Sequence, residues 1–422
     1  MKLPASLGAL AERDFRLLFL GRSASLLGSA FAPVALAFAV LDDLDGSASS
    51  LGLVLAAIWV PQVIFILVGG IWADRLPRNL VMVSTDLVMC AAQAAVAVLL
   101  LTGSAQLWQL VALQLVRGTA NAFFFPAASG LVPHVVSPGR LQQANALLRL
   151  SHSSTTIVGA GLAGLVVAAV GTGAALAFDA ATFLVSAALV GRIRVHARIA
   201  AASRSFLREL REGWDEFASR TWLWTIVVQF MFINAFAHGT FLVLGPVVAQ
   251  RELGGASAWG AILAAEAAGM VLGGLLVLRT KPDRILLVAS VGILLTAPVC
   301  VLIALPASLL LLAGAAVLAG LGAEVFGVLW DTAMQQQIPH DRLSRVYSYD
   351  ALGSFVCIPI GLSIAGPIAD VLSVRAALLL AAAVVVVATA AVLLVGEGRT
   401  LRRSDPAPPE SHHERVFATE PS

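Results

Sequence analysis

Residues 51–79 read LGLVLAAIWVPQVIFILVGGIWADRLPRN. From Leu51 to Ala73 the stretch carries no charge, and then Asp74, Arg75 and Arg78 arrive in quick succession. A helix needs ~20 mostly apolar residues to cross ~30 Å of hydrocarbon. This run is therefore long enough to span a bilayer and stops at a polar boundary. The rest of the chain is built the same way: 422 residues, 59% hydrophobic, 12% charged, with a mean hydropathy of +0.90. That leaves too little polar surface to coat a soluble domain of this size. The net charge is +2, and the 27 basic residues are scattered between apolar runs, which excludes a basic face for nucleic acid.

Working outward, comparable runs lie at about 17–41, 79–101, 107–128, 148–170 and 173–191, then at 222–247, 257–279, 284–304, 308–330, 347–369 and 374–396. The expected fold is an all-α membrane protein with twelve transmembrane helices as two six-helix halves. Its parts are an N-terminal half (1–191), a linker (192–221), a C-terminal half (222–396) and a tail (397–422). The first run follows Lys2, Arg13 and Arg16 and exceeds a ~7 to 15 residue signal core, so it reads as a retained span. Lys and Arg stay on the cytoplasmic side. With both termini inside a cell (inner) membrane, the exterior loops hold only Arg251 and Arg375. In the linker, Phe206, Leu210, Trp214 and Phe217 recur three or four apart, the pattern of an amphipathic helix along the inner surface that tethers the halves. The tail, with Pro406, Pro408 and Pro409, is polar and expected to be disordered.

The halves repeat. Gly70 matches Gly274 at 204 residues, Pro133-His134 matches Pro339-His340 at 206, and Arg140-Leu141 matches Arg342-Leu343 at 202. One register serving separate loops points to duplication of a six-helix unit.

The segment Gly70-Ile-Trp-Ala-Asp74-Arg75-Leu-Pro77-Arg78 resembles the loop signature of the major facilitator superfamily. Pro77 replaces the usual second glycine and Asn79 a usual base. Asp74 sits at the C-terminal end of its own helix, where the dipole disfavours an anion, so it needs partners. The resemblance implies that Gly70, Asp74, Arg75 and Arg78 form a conformational latch meeting the start of the eleventh span near Arg345 to Asp350 in the outward-open state. The plainer alternative is a solvated cluster that fixes topology. Leu278 stands where the second half would carry the acid, so any latch is one-sided.

Gln114, Arg117 and Asn121 form one polar stripe on the fourth span. It resembles the arginine motif of drug and proton antiporters. An arginine at this depth costs ~2.5 kcal/mol or more unless it faces a cavity or a partner; a structural arginine is the alternative. Gly159, Gly161 and Gly164 resemble the glycine-rich antiporter motif, with Ala160 in place of proline, and equally suit close helix packing. Glu266 and Glu324 are the intramembrane carboxylates placed to carry a proton and, with Arg117, are the candidates for proton coupling; a structural hydrogen bond or a counter-ion for Arg117 is the alternative for each carboxylate. Asp86 and Asp179 lie closer to span ends. Asn121, Phe124, Gln229, Asn234 and His238 suit an aromatic, sparsely polar substrate cavity, although such rings also serve packing.

The opening Arg13-Asp-Phe-Arg-Leu-Leu-Phe-Leu-Gly, the segment Asn121 to Pro138 and Ile338-Pro-His-Asp-Arg-Leu-Ser-Arg-Val-Tyr-Ser resemble the macrolide-efflux and enterobactin-exporter branch. The resemblance implies secondary active efflux of small amphiphilic molecules (antibiotic, drug or secondary metabolite) by alternating access and proton antiport. No cofactor beyond the proton gradient is expected, and the partners would be a small-molecule substrate and the lipid bilayer. Two fused halves lead one to expect a monomer. Uptake by symport or facilitated diffusion on the same fold is the alternative, followed by a non-transporting membrane sensor. No Gly-x-x-x-x-Gly-Lys-Ser/Thr loop occurs, and Cys90, Cys300 and Cys357 stand alone without metal-site spacing. No nucleophile with a base stands at catalytic spacing, so an enzyme is not expected.

Overall fold

The computed structural model describes residues 5–73, 77–193, 206–280, 282–305 and 307–395. Among them are eleven helices long and apolar enough to cross a membrane. The first half contributes α1 (Arg13–Asp43), α2 (Ala48–Ala73), α3 (Arg78–Leu101), α4 (Leu107–Val135), α5 (Leu141–Val170) and α6 (Thr172–Val190). The second contributes α7 (Thr221–Leu253), α8 (Ala256–Arg279), α9 (Ile285–Ala304), α10 (Leu309–Gln337), α11 (Tyr349–Leu372) and α12 (Val374–Leu394). The twelfth spanning helix is α4, whose 29 residues suffice in length but whose apolar run is diluted by Gln109, Gln114, Arg117 and Asn121.

Helices α4, α5 and α10 run past the expected apolar stretches at the linker end. Intrahelical hydrogen bonds need no lipid, whereas hydropathy marks only the hydrocarbon segment. Prolines lie inside α2 (Pro61), α4 (Pro126, Pro133), α7 (Pro246) and α11 (Pro367), where each removes an N–H from the ladder. Pro298 in α9 follows a tight turn at Leu294–Thr296. Helix α7 holds two π-helical turns, Ile233–His238 and Ala249–Leu253.

The halves meet through α5 against α8 and α2 against α11. These two pairs exchange under the twofold relation that the repeat implies. At the first, a Cβ on Gly164 would stand 2.6 Å from the Ala256 carbonyl oxygen and 3.0 Å from the Gly260 Cα. Gly161 faces Ala264 of α8 at 3.5 Å, and Gly159 faces Ala30 and Leu27 of α1. At the second, Ser49 donates to Asp370 at 3.0 Å. Gln250 of α7 donates to Asp42 of α1 and, at 3.4 Å, to the Leu41 carbonyl. Ala256, Ser49, Asp370, Asp42 and Gln250 all sit at helix ends remote from the linker, so the halves are closed on that far side.

The linker helix, Phe206–Ala218, docks on the helical run His340–Phe355 that leads into α11. Trp214 and Phe217 pack on Tyr349 with centroids 5.5 and 6.0 Å apart. Glu216 binds Arg220 at 2.5 Å and Arg342 at 2.7 Å. The hydrogen bond from Arg220, aided by Arg342 and opposed by burial, holds the Glu216 carboxyl below its ordinary range. The first half carries a matching arrangement. Glu12, just ahead of α1, accepts from Ser137 N at 2.9 Å and Oγ at 2.7 Å and pairs with Arg140 at 3.4 Å. The Ser137 hydroxyl is the main cause that holds its carboxyl low. Glu12 and Glu216 lie 204 residues apart and their arginines 202 apart, in the register of the repeat.

Candidate functional site

Between the halves lies a cavity of about 280 Å³. The first half supplies most of the wall: Ser29, Pro33 and Leu36 from α1, Leu55 to Gln62 along α2, and Arg117 and Asn121 from α4. Leu242, Trp259 and Leu362 close it from α7, α8 and α11. Asn121 donates to Gln62 Oε1 at 3.1 Å, and Gln62 donates to the Ile58 carbonyl at 3.1 Å. The wall is apolar and indole-rich, with a short line of amides and one charged side chain, Arg117.

Arg117 is 9% exposed, and its guanidinium turns back into the first half. Its Nη2 lies 3.5 Å from Oδ2 of Asp179 on α6, and its guanidinium carbon lies 5.9 Å from the Phe183 ring centre. Asp179 is fully buried and takes a 2.6 Å hydrogen bond from Gln93 of α3, which in turn accepts from Gln114 at 3.1 Å. Asp179 Oδ1 has no partner among the described residues. A second rung joins the same helices, where Ser186 donates to the fully buried Asp86 at 2.7 Å. Asp86 and Gln93 are seven apart on α3, as are Asp179 and Ser186 on the antiparallel α6. The 1.5 Å helical rise therefore sets the rungs about 10 Å apart.

Asp86 stands eight residues from the start of α3 and Asp179 seven from the start of α6, and packing of α3 on α6 buries both in the interior of the first half.

The remaining candidates separate. Glu266 lies half-buried on α8, within electrostatic reach of Cys300 of α9, with no hydrogen bond or ion pair among the described residues. Glu324 of α10, also half-buried, lies within electrostatic reach of Arg149 of α5 and of Asp331. Gln229, expected in the cavity, instead donates to Thr389 of α12 at 2.9 Å and lines a groove of about 600 Å³ between α7 and α12. Asn234 ties α7 to the Ser354 carbonyl of α11 at 2.7 Å. Phe124 packs with Met89, Ala120 and Phe183. His238 is exposed on the first π-helical turn of α7. None of these four is among the residues that line the central cavity; of the five cavity candidates, only Asn121 lines it. The burial of the lining is tertiary information that a uniformly apolar helix does not carry in its periodicity.

Of the latch residues, Arg78 donates to the Gly130 carbonyl of α4. Gly70 falls within α2, but its surroundings, Asp74, Arg75 and the Arg345 side chain lie outside the described residues. Asp350 is engaged within its own half by Trp330 at 3.2 Å and Ser354 at 3.4 Å. Sequence reasoning missed Asp179, Gln93 and Gln62. The signal for the first two was the equal seven-residue spacing of polar groups on α3 and α6.

The family model described as Major Facilitator Superfamily matches residues 18–356 and 287–419. Macrolide efflux protein A of Streptococcus pyogenes is 23% identical over 371 residues, covering 86% of this chain and 90% of that protein. Macrolide efflux protein A of Enterococcus faecalis is 23% identical over 327 residues, covering 75% of this chain and all of that protein. Among solved structures, the nucleoside transporter NupG superposes with a TM-score of 0.71 at 16% identity, over 90% of this chain and 98% of its own. A POT family transporter in complex with a thioalcohol conjugated peptide gives 0.72 at 12% identity, over 92% and 97%. At these identities the solved structures speak for the fold alone.

Proposed function

The chain belongs to the major facilitator superfamily, and from that membership we propose that it is a secondary active exporter of small amphiphilic molecules, driven by proton antiport. The observation that carries this reading is the central cavity: apolar and indole-lined, with a few amide donors and one arginine, at the seam of two halves closed on the far side. Such a wall suits a bulky ligand with a large apolar body and few polar groups. The Lys and Arg bias assigns the linker side to the cytoplasm, so closure on the far side makes this the state that loads from inside. Rocking would then break the α5–α8 and α2–α11 contacts and close the linker side, with Gly70 to Arg78 as the latch. Two relatives carry the name macrolide efflux protein, which favours export over uptake.

The test is antibiotic susceptibility and drug accumulation in a pump-deficient bacterial host, with Asp74→Asn and Glu266→Gln compared with wild type at matched membrane abundance. Export requires higher tolerance and lower accumulation with wild type. Faster accumulation of a nutrient, with no compound exported, would replace this reading with uptake.

A further inference from the structure

We propose that Asp179 is a proton-binding site that, through Arg117, makes occupancy of the central cavity by a proton's charge and by an organic cation mutually exclusive. The proposal rests on the antiport reading above and assigns its coupling to the first half, away from Glu266 and Glu324.

Three observations carry it. Among the described residues that line the cavity, one carries a charge, Arg117. The carboxylate that neutralises it, Asp179, does not line the cavity; it lies behind the arginine, fully buried. Its second oxygen has no partner among the described residues and faces the bare backbone of Gly28 on α1, where an added Cβ would stand 2.9 Å from it, so the close approach of α1 leaves little room beside that oxygen. The other titratable or charged groups around Asp179 are Arg117 from α4 and Cys90 and Asp86 from α3. Gln93 and the facing backbone of α1 at Gly28 are neutral. His152 of α5 interacts with Arg22 and Arg149 instead.

The consequence is electrostatic. With Asp179 ionised, the pair is neutral and the cavity presents two indoles, Trp59 and Trp259, to a ligand; aromatic faces attract organic cations. A proton taken from water onto the Asp179 carboxylate leaves Arg117 uncompensated at the wall. Inside a water-poor cavity a second positive charge is then repelled far more strongly than it would be in bulk water. Proton and cation thus exchange one for one, with no bond beyond the carboxyl O–H made or broken.

The test uses the purified full-length chain in lipid nanodiscs and tetraphenylphosphonium, a permanent cation whose own charge does not vary with pH. Its affinity should fall about tenfold per pH unit on the acid side of the transition, and binding near the midpoint should release protons into weak buffer. Asp179→Asn should bind the probe weakly and without pH dependence. Because that variant leaves Arg117 unpaired and can fail to fold, Asp179→Asn with Arg117→Gln is the second variant. It restores a neutral wall and should bind at about the alkaline wild-type affinity at every pH. Glu266→Gln and Glu324→Gln should keep the wild-type slope. Absence of probe binding, a flat wild-type profile, or a slope that survives in the double variant would overturn the proposal. Loss of tolerance in cells with the linkage intact would sink only the export reading.

Discussion

A single methyl group at Gly164 should prise the far side open. In Gly164→Ala the new Cβ meets the Gly260 Cα at 3.0 Å and the Ala256 oxygen at 2.6 Å. Carbon atoms prefer ~3.5 to 4.0 Å, so α5 and α8 must part by about 0.5–1 Å. Both obstacles are backbone and cannot rotate away, and overpacking of this kind costs ~1–3 kcal/mol. The opposite state separates these helix ends and escapes the cost, so its population relative to the present one should rise about 5- to 150-fold. Leu55, buried in the cavity wall, supplies the reporter. Leu55→Cys in whole cells should react with a membrane-impermeant maleimide several-fold faster when Gly164→Ala is added. Gly161→Ala is the control, because its Cβ would lie 3.5 Å from Ala264, an ordinary contact, and it should leave the rate unchanged. Equal labelling in the two glycine variants would refute the claim that this contact holds the far side shut.

Removing Arg117 alone leaves Asp179 buried and unpaired, so Arg117→Ala should cost about 3–5 kcal/mol and lower the yield of folded protein; Arg117→Ala with Asp179→Ala should recover much of it by size-exclusion profile. The Glu216 carboxyl is held low in the folded chain. Its contribution to linker-helix docking is therefore fully present above the ordinary carboxylate pKa of ~4.3 and lost as pH falls through the lowered folded value. Hydrogen exchange across Phe206–Ala218 should accelerate there, and Glu216→Gln should be faster already at pH 7. Gln229→Leu, in the α7–α12 groove, should leave the spectrum of exported compounds unchanged, whereas Asn121→Leu in the cavity wall should alter it; susceptibility panels separate the two.

The fold was legible because span length is set by the bilayer: the twelve runs need no knowledge of their neighbours. The polar stripe Gln114, Arg117, Asn121 was legible for the same reason, since polar groups at that depth must turn inward. Asp179 was not, because burial depends on which helix packs against α6. Gln229 was misplaced because the side of α7 that meets α12 rather than the cavity is set by how the helices pack, which the pattern of α7 alone does not carry. Beyond Gln229, the π-helical turn at Ile233–His238 adds a residue to the turn and rotates the rest of α7 by roughly 100° from α register, so the faces of α7 cannot be counted from one end.

The matched acids ahead of α1 and α7 bear on how the gene can be cut. Divided between residues 194 and 205, it would encode two pieces, one with Glu12 and Arg140, the other with Glu216 and Arg342. Each piece keeps its own fastener and its own six spans. Reassembly in the membrane would then fall to the two helix pairs at the seam, and a split chain becomes a direct measure of how tightly the seam holds.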